Sequence, residues 1–192
     1  PSLPVDSPGR IVYPLGMKTR ALFSLFLLLS LQFPLTAKSR SGSIAAIDAM
    51  LTAWHHAAAV ADEKGLKLVL EGEADVSADR LMLRRALANL LSNAVRHATP
   101  HSSVQVRIDA TPDAVCIATD NAGEEIRPEH LERIFDRFFR VDPSRQRSSE
   151  GTGLGLAITR SIVLAHGGSI GADCSEGITT FTIRLPRPLA SQ

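Results

Sequence analysis

The pattern of apolar and polar residues divides the chain after residue 43 into helices and strands. Apolar residues recur every three or four positions in 44–60, 79–98, 128–138 and 156–166, which predicts helices. Alternating residues in 66–71 and 104–109 predict strands, as do the segments 115–119, 169–174 and 178–185, and the last four of these strands form two hairpins. Two hairpins with helices predict an α/β sandwich of two layers, in which a mixed, mostly antiparallel sheet packs on three helices.

The first 43 residues do not follow this pattern. Prolines interrupt the start, so we expect no packed helix or strand before Met17. A basic start and the apolar run 21–31 then resemble a secretory signal or, equally, a truncated membrane segment, shorter than the roughly 20 apolar residues that span a bilayer. We therefore predict a leader and linker over 1–43 and one globular domain over 44–192.

Charge and cysteine content narrow the function classes that fit this domain. Residues 1–43 carry five basic and one acidic side chain, which leaves sixteen basic and nineteen acidic ones in 44–192. A domain with net negative charge does not favour nucleic-acid binding, so no nucleic-acid partner is expected. Cys116 and Cys174 form neither a metal-binding spacing nor a disulfide framework and favour a reducing compartment.

Two polar features have a chemical and a structural interpretation. Asn89 and Asn93 lie four positions apart and share one face of the second helix, where their oxygens could bind Mg²⁺ or simply face solvent. Asp120 directly follows a predicted strand. Its carboxylate could accept hydrogen bonds from the exocyclic amine of adenine, or it could only close a turn.

Two further features lie between 135 and 157. The glycine-rich segment 151–157 precedes a helix, which favours phosphate binding because backbone N–H groups at a helix start can approach an anion. No strand precedes these glycines and no lysine follows them, so neither a dinucleotide-binding turn nor a P-loop fits. The polar segment 142–150 indicates a lid, and Arg140 at its start could bind a terminal phosphate or remain solvated. Phe135 and Phe138 fit the spacing of a helix core.

In this order the four features resemble the catalytic and ATP-binding domain of sensor histidine kinases, whose Bergerat ATP-binding fold is shared with gyrase, Hsp90 and MutL. The matching segments are LANLLSNAVRHA (87–98) for the N box, DNAGEEI (120–126) for the first glycine box, FDRFFR (135–140) for the F box and GTGLGLAI (151–158) for the second glycine box. The resemblance covers about residues 60–186, and the lid sequence is most similar to the heavy-metal-responsive, copper or silver type, branch. Ala122 and Ile178 stand where glycine is usual in the family.

The resemblance implies ATP and Mg²⁺ as cofactors. It implies that Asn93 is the Mg²⁺ ligand, that Arg140 lies near the γ-phosphate, and that Asp120 contacts adenine. By matched position, the residues implied to bind the nucleotide are Asn89, Asn93, Arg96, His97, Asp120, Gly123, Gly151, Thr152, Gly153, Leu154, Gly155 and Leu156.

The implied function is that of a kinase in a two-component system, which moves the γ-phosphoryl of ATP to a histidine on a dimerisation domain and then to a response regulator. No string of the kind His, acidic, any, basic, polar, Pro occurs, and neither His55 nor His56 has an acidic neighbour. We therefore expect the phosphoacceptor hairpin to be missing and this chain alone not to autophosphorylate. The parent is expected to be a membrane-bound homodimer with this domain on the cytoplasmic side of the inner membrane.

Two alternatives remain open at this point. The first is a non-catalytic nucleotide-binding module that regulates a partner through lid closure. The second is an ATPase of the gyrase or Hsp90 kind, which needs a water-activating carboxylate where the second helix has Asn89.

Overall fold

The computed structural model describes residues 10–13, 43–141 and 152–187. The strands in these ranges are β1 (Arg10–Tyr13), β2 (Ser43–Ala45), β3 (Lys67–Glu71), β4 (Asp75–Ser77), β5 (Ser103–Ala110), β6 (Ala114–Ala122), β7 (Ser169–Ser175) and β8 (Ile178–Pro186). The helices are α1 (Ala46–Glu63), α2 (Arg80–His97), α3 (Pro128–Leu131) and α4 (Gly155–Ala165), with a 3₁₀ turn at Arg133–Phe135.

Six strands form one mixed sheet in the order β1-β3-β5-β6-β8-β7, and β2 pairs with β4 apart from it. Strands β3 and β5 run parallel, whereas the other neighbouring pairs of the sheet are antiparallel. Each hairpin of the sheet, β5 with β6 and β7 with β8, has the pairing that the sequence pattern predicts. The predicted mixed, mostly antiparallel sheet is therefore confirmed.

The helices cover one face of this sheet. On β5 and β8 every second residue is buried, and these residues pack in one core with the apolar stripe of α2: Val104, Val106, Ile108, Phe181, Ile183, Leu185, Leu83, Leu87, Leu90 and Leu91. Full burial of one such side chain contributes about 1.5–3 kcal/mol. The intervening residues are mostly polar, and one of them, Arg184, forms an ion pair of 2.8 Å with Asp113 in the turn between β5 and β6. The predicted two-layer sandwich is confirmed.

Helix α2 is fixed at both of its ends. At the start, the Asp79 carboxylate accepts a hydrogen bond of 2.8 Å from the backbone N–H of Met82, as an N-cap residue does. At the end, the Lys64 ammonium donates to the carbonyls of Val95, Arg96 and Ala98. Positive charge at a helix C-terminus is favourable because unpaired carbonyls gather there.

Two expectations about elements were wrong, and two short strands were not predicted. Strand β1 precedes Met17 and pairs antiparallel with the open edge of β3, where backbone groups can accept any short extended segment. Strands β2 and β4 are three residues each, too short to give an alternating pattern. The helix predicted over 128–138 ends at Leu131 and continues only as the 3₁₀ turn.

Phe138 does not continue that helix. Its φ is 63° and its side chain is 70% exposed, so it is not part of the core, whereas Phe135 is buried as expected. The Phe138 N–H donates to the carbonyl of Gly153 at 3.0 Å. This contact with a segment distant in sequence replaces the helical hydrogen bond that spacing alone predicts.

Within the described ranges, no helix is both long and apolar enough to span a bilayer. The apolar run 21–31, the lid 142–150 and Gly151 lie outside those ranges.

Candidate functional site

The middle of α2 meets the start of α4. The Asn89 side-chain amide donates a hydrogen bond of 3.1 Å to the carbonyl of Gly155. The Thr159 hydroxyl donates to the same carbonyl at 3.0 Å and to the carbonyl of Ala86 at 3.3 Å. Asn93 follows one helical turn later on the same side of α2 and is half-buried. The asparagine helix and the second glycine segment, 66 residues apart in sequence, therefore form one corner of the molecule.

Gly153 holds the loop before α4 against residues 135–140, FDRFFR, here called the phenylalanine segment. Its φ is +69°, a left-handed conformation, and a Cβ there would lie 3.0 Å from the Cα of Phe138 and 3.1 Å from the carbonyl oxygen of Phe139. Only glycine adopts this conformation beside that backbone without a shift. Tertiary contact with the backbone of Phe138 and Phe139 therefore accounts for this glycine.

Helix α4 begins without a side-chain cap. Leu154 is the N-cap residue and makes no side-chain cap hydrogen bond, and Leu156 packs against the core. Thr152 is exposed. The first turn of this 11-residue helix therefore has the backbone N–H groups and the positive dipole end that suit an anion.

The end of β6 packs against the last turn of α2. The Gly123 N–H donates to the Gly177 carbonyl, and the Thr99 N–H donates to the Ala122 carbonyl, both at 2.8 Å. A Cβ on Gly123 would lie 2.6 Å from the carbonyl oxygen of His97, so a side chain does not fit. Arg96 and His97 are exposed in this last turn. The first glycine segment thus lies beside the second half of α2.

Three consecutive polar residues are buried at this end of β6, namely Thr119, Asp120 and Asn121, which are 0%, 7% and 3% exposed. In the sheet Asn121 is paired with Val104 and Thr179, whereas Asp120 is paired with Gln105 and Thr180. Val104 and Thr179 are buried on the face that the helices cover. Because side chains alternate along a strand, Thr119 and Asn121 point toward the helices and Asp120 points away from them.

Asp120 makes an ion pair on the outer face of the sheet. Its Oδ2 lies 2.9 Å from Nη1 of Arg107, whose side chain is 44% exposed. Sequence reasoning expected Asp120 in a pocket with Asn89 and Asn93. The register of β6 instead directs its carboxylate to the sheet face opposite α2 and α4.

Several polar atoms at this strand end have no hydrogen-bond partner among the described residues. They are Oγ1 of Thr119, Oδ1 of Asp120 and Oδ1 of Asn121. Leaving a buried acceptor unpaired costs about 1–3 kcal/mol, so such atoms in a folded protein need an explanation. Sequence reasoning missed Thr119 and Asn121, although continuing the alternation of Val115 and Ile117 along the strand leads to both of them.

The predicted contacts of Arg140 remain predictions. Arg140 is partly exposed just before the lid. Nearby, the Arg133 guanidinium lies 4.6 Å from the ring centre of Phe139, and the ring of His130 lies 5.6 Å from it. These contacts hold the phenylalanine segment in place through cation–π and ring packing.

A lysine beside the C-terminal end of α2 has a shifted pKa. Burial, and then the charge of Arg96, lower the pKa of Lys64, the residue that donates to the end of α2. Among the described residues, no three His, Cys, Asp or Glu side chains are grouped to hold a metal ion. A Mg²⁺ site here would need amide oxygen and ligand phosphates instead.

A cleft of about 520 Å³ lies beside this corner, between the start of α2, the phenylalanine segment and α4. Its lining is mostly apolar and includes Met82, Phe138, Leu154, Ala157, Ile158 and Ile162. The exposed Phe138 side chain forms part of its edge.

Comparison with known proteins gives a family match over residues 78–189, to the model described as histidine kinase-, DNA gyrase B-, and HSP90-like ATPase. Sensor histidine kinase CusS of Escherichia coli O157:H7 is 50% identical over 129 residues, which are 67% of this chain and 27% of that protein. Sensor protein CzcS of Cupriavidus metallidurans is 43% identical over 128 residues, 66% of this chain and 27% of that protein. The chain therefore spans about a quarter of the length of these curated relatives.

A solved structure is similar over most of the described fold. The mycobacterial sensor histidine kinase MprB has a TM-score of 0.65 and 27% identity, and the match covers 75% of this chain and 95% of that one.

Proposed function

Because the chain belongs to the family of histidine kinase-, DNA gyrase B- and HSP90-like ATPases, we propose that it is the ATP-binding catalytic domain of a two-component sensor histidine kinase. The domain positions Mg·ATP so that its γ-phosphoryl group reaches a histidine on a dimerisation domain. One observation carries this proposal, the hydrogen bond from Asn89 on α2 to Gly155 at the start of α4. It brings the asparagines of α2 next to the uncapped start of α4, the two groups that we assign to Mg²⁺ and to the phosphates.

ATP fits the residues at this corner. The start of α4 offers backbone N–H groups to phosphates, and a Cβ on Gly155 would meet Asn89 only at an ordinary contact distance of 3.7 Å. Buried, unpartnered acceptors at the end of β6 suit the polar edge of a base. Thr152 and Leu154 precede α4, Leu156 lies in its first turn, and Gly151 completes the second glycine box in the sequence.

Mg²⁺ would be held by Asn93 and the phosphates. The ion supplies neutralisation of phosphate charge when it is bound, and phosphoryl transfer depends mainly on positioning and on such neutralisation. Asn89 is engaged with Gly155 and so orients the loop, while Asn93 is one turn further along the same face. Arg140, Arg96 and His97 are the cationic or titratable groups we assign to the nucleotide from their matched positions.

The apolar cleft beside α4 is the surface that we assign to a helical binding partner. Its lining residues come from α2, the phenylalanine segment and α4, and Phe138 exposes a large apolar surface at its edge. An exposed apolar patch rimmed by Arg85 and Arg137 is typical of a protein interaction site. We assign it to the histidine-bearing hairpin, and we assign the response regulator as the next acceptor.

The experiment is phosphorylation in trans. The chain is incubated with Mg²⁺, γ-labelled ATP and a separately expressed dimerisation hairpin from a sensor kinase of this type. We expect acid-labile label on the hairpin and none on the chain alone. Asn93→Ala should abolish the label, whereas Ser92→Ala, a matched change on the same helix, should leave it in place.

The same assay separates the alternatives. A non-catalytic module would bind ATP and leave the hairpin unlabelled. An ATPase would release phosphate steadily with no hairpin present. Either result would contradict the kinase assignment.

We place the parent in the heavy-metal-responsive branch, on the cytoplasmic side of the inner membrane, as a homodimer. The support is the lid sequence RFFRVDPSRQR and the identity with the CusS and CzcS proteins. Membrane fractionation of the native protein, with protease added from either side, tests the placement.

A further inference from the structure

Thr159 is a fully buried threonine of α4 to which the proposed function gives no role. The residue is 0% exposed, and its Oγ1 lies 3.0 Å from the carbonyl oxygen of Gly155 and 3.3 Å from that of Ala86. A hydroxyl carries one proton, so a single donor is shared between acceptors on two different helices. Thr159 therefore links the start of α4 to the middle of α2.

Ser161, two residues later, shows the bond that a helical hydroxyl ordinarily makes. It donates to the carbonyl of Ala157, four residues earlier, at 3.0 Å, and Thr159 makes the same kind of bond to Gly155. Two observations distinguish Thr159: its second acceptor lies on α2, and Asn89 donates to the same Gly155 carbonyl at 3.1 Å. Two side chains, one from each helix, thus converge on a single carbonyl.

The Gly155 carbonyl belongs to the peptide group that also carries the N–H of Leu156. A trans peptide group is planar and its C=O and N–H point in opposite directions, so holding the carbonyl also fixes the direction of the N–H. Leu156 is the second residue of α4, where backbone N–H groups have no partner within the helix, and the N-cap residue Leu154 makes no side-chain cap hydrogen bond. The Leu156 N–H is therefore held pointing out of the start of the helix, where the proposed function places the phosphates.

We propose that Thr159 is a positioning residue for phosphate binding: its hydroxyl fixes the peptide group between Gly155 and Leu156 so that the Leu156 N–H donates to a phosphate of the bound nucleotide. A donor that is already fixed binds more tightly than a mobile one, because less conformational freedom is lost when the ligand binds. The buried hydroxyl acts through this peptide group and not by contact with the nucleotide. The inference rests on the proposed function, since it concerns the phosphates of the same ATP site.

The test compares three variants and two ligands. Thr159→Val keeps the shape of the side chain and removes the hydroxyl, whereas Thr159→Ser keeps the hydroxyl. Ser161→Ala is the matched control, because it removes a hydroxyl whose hydrogen bond lies within α4. The ligands are Mg·ATP, measured by calorimetry, and adenosine, which lacks phosphates and is measured by NMR titration.

The expected result is a selective loss of ATP binding. Thr159→Val should weaken ATP binding roughly three- to tenfold, as loss of one hydrogen bond implies, and adenosine binding by less than about twofold. Thr159→Ser and Ser161→Ala should bind both ligands within about twofold of the unaltered chain.

A merely structural role of Thr159 predicts a different outcome. Equal losses of ATP and adenosine binding in Thr159→Val would make the hydroxyl structural and the proposal wrong. Unchanged ATP binding in Thr159→Val, or a loss in Thr159→Ser as large as that in Thr159→Val, would also overturn it. If the unaltered chain binds no ATP, it is the proposed function itself that fails.

A measurement on the unaltered chain tests the proposal even if Thr159→Val does not fold. The NMR resonance of the Leu156 amide should shift when Mg·ATP is added and much less when adenosine is added, because the N–H meets a phosphate only in the first case. ATP binding without a selective response at Leu156 would contradict the proposal and leave the proposed function standing.

Discussion

Gly153 and Gly155 belong to the same glycine-rich segment, yet the structure gives them opposite tolerance for a side chain. Gly153 has a φ of +69°, and a Cβ there would meet backbone atoms of Phe138 and Phe139 at 3.0–3.1 Å. Gly155 lies at the start of α4, and its nearest contact would be 3.7 Å, an ordinary van der Waals distance. We predict that Gly153→Ala destabilises the protein and that Gly155→Ala does not.

The magnitude follows from these geometries. A left-handed alanine costs roughly 1–2 kcal/mol. If the loop moves away to relieve the contact, it loses the hydrogen bond from Phe138 N–H to the Gly153 carbonyl, worth about 0.5–1.5 kcal/mol. Depending on the route, the free energy of unfolding falls by about 0.5–2 kcal/mol. Gly155→Ala should instead add up to about 1 kcal/mol, because alanine favours a helix over glycine.

The assay is urea unfolding followed by circular dichroism, with thermal unfolding as a second measurement. For a domain of this size, 1 kcal/mol shifts the melting temperature by about 2–4 °C. Gly171→Ala is the control, since no atom lies within 4 Å of the Cβ it would add. Equal stability changes in Gly153→Ala and Gly155→Ala would refute the reasoning, as would a Gly153→Ala protein as stable as the unaltered chain.

Three further predictions concern other contacts. Asn89→Ala removes the hydrogen bond to the Gly155 carbonyl, so the free energy of unfolding measured in urea should fall by about 0.5–1.5 kcal/mol; no change would show that this bond does not hold the loop. The pKa of Asp113 is lowered, first by the hydrogen bond from Thr111, so this carboxylate stabilises the fold above its unfolded pKa, and that contribution is lost as pH falls through the folded value. Thr111→Val should raise this pKa in an NMR titration, and an unchanged titration would contradict the assignment. Phe138 is 70% exposed with a φ of 63°, so Phe138→Gly should not lower stability but should reduce phosphorylation of a hairpin supplied in trans, and full labelling would argue against the cleft as its docking site.

Hydrophobic spacing alone predicted the helix and hairpin order of the domain. The stripe of α2 and the alternation of β5 and β8 are local patterns, because burial of one face repeats with the period of the element. The spacing of the two asparagines and the cluster of glycines indicated Asn89 and the glycine segment, which the structure joins by a hydrogen bond. Composition could not predict this contact, since its two partners are 66 residues apart.

At the end of β6 the sequence pattern did not predict the length of the strand or the directions of its last side chains. The alternating pattern ends at Thr119, so Asp120 was interpreted as a residue of the following loop. Pairing with β8 continues to Ala122, and a longer strand assigns alternate residues to opposite faces. Hydrogen bonds to a neighbouring strand, which no local pattern records, therefore decide that Asn121 faces the helices and Asp120 the outer surface.

The sequence by itself determined which residues are apolar, where helices and strands repeat, and which polar groups could bind a nucleotide. The tertiary structure decided which of those groups share a face. It also decided that Phe138 is exposed rather than part of the core and that β1 extends the sheet. The reason is that the repeat of apolar residues within a helix or strand is set by backbone geometry. The direction in which a side chain points, its exposure and the pairing of an edge strand depend instead on contacts between segments far apart in the chain.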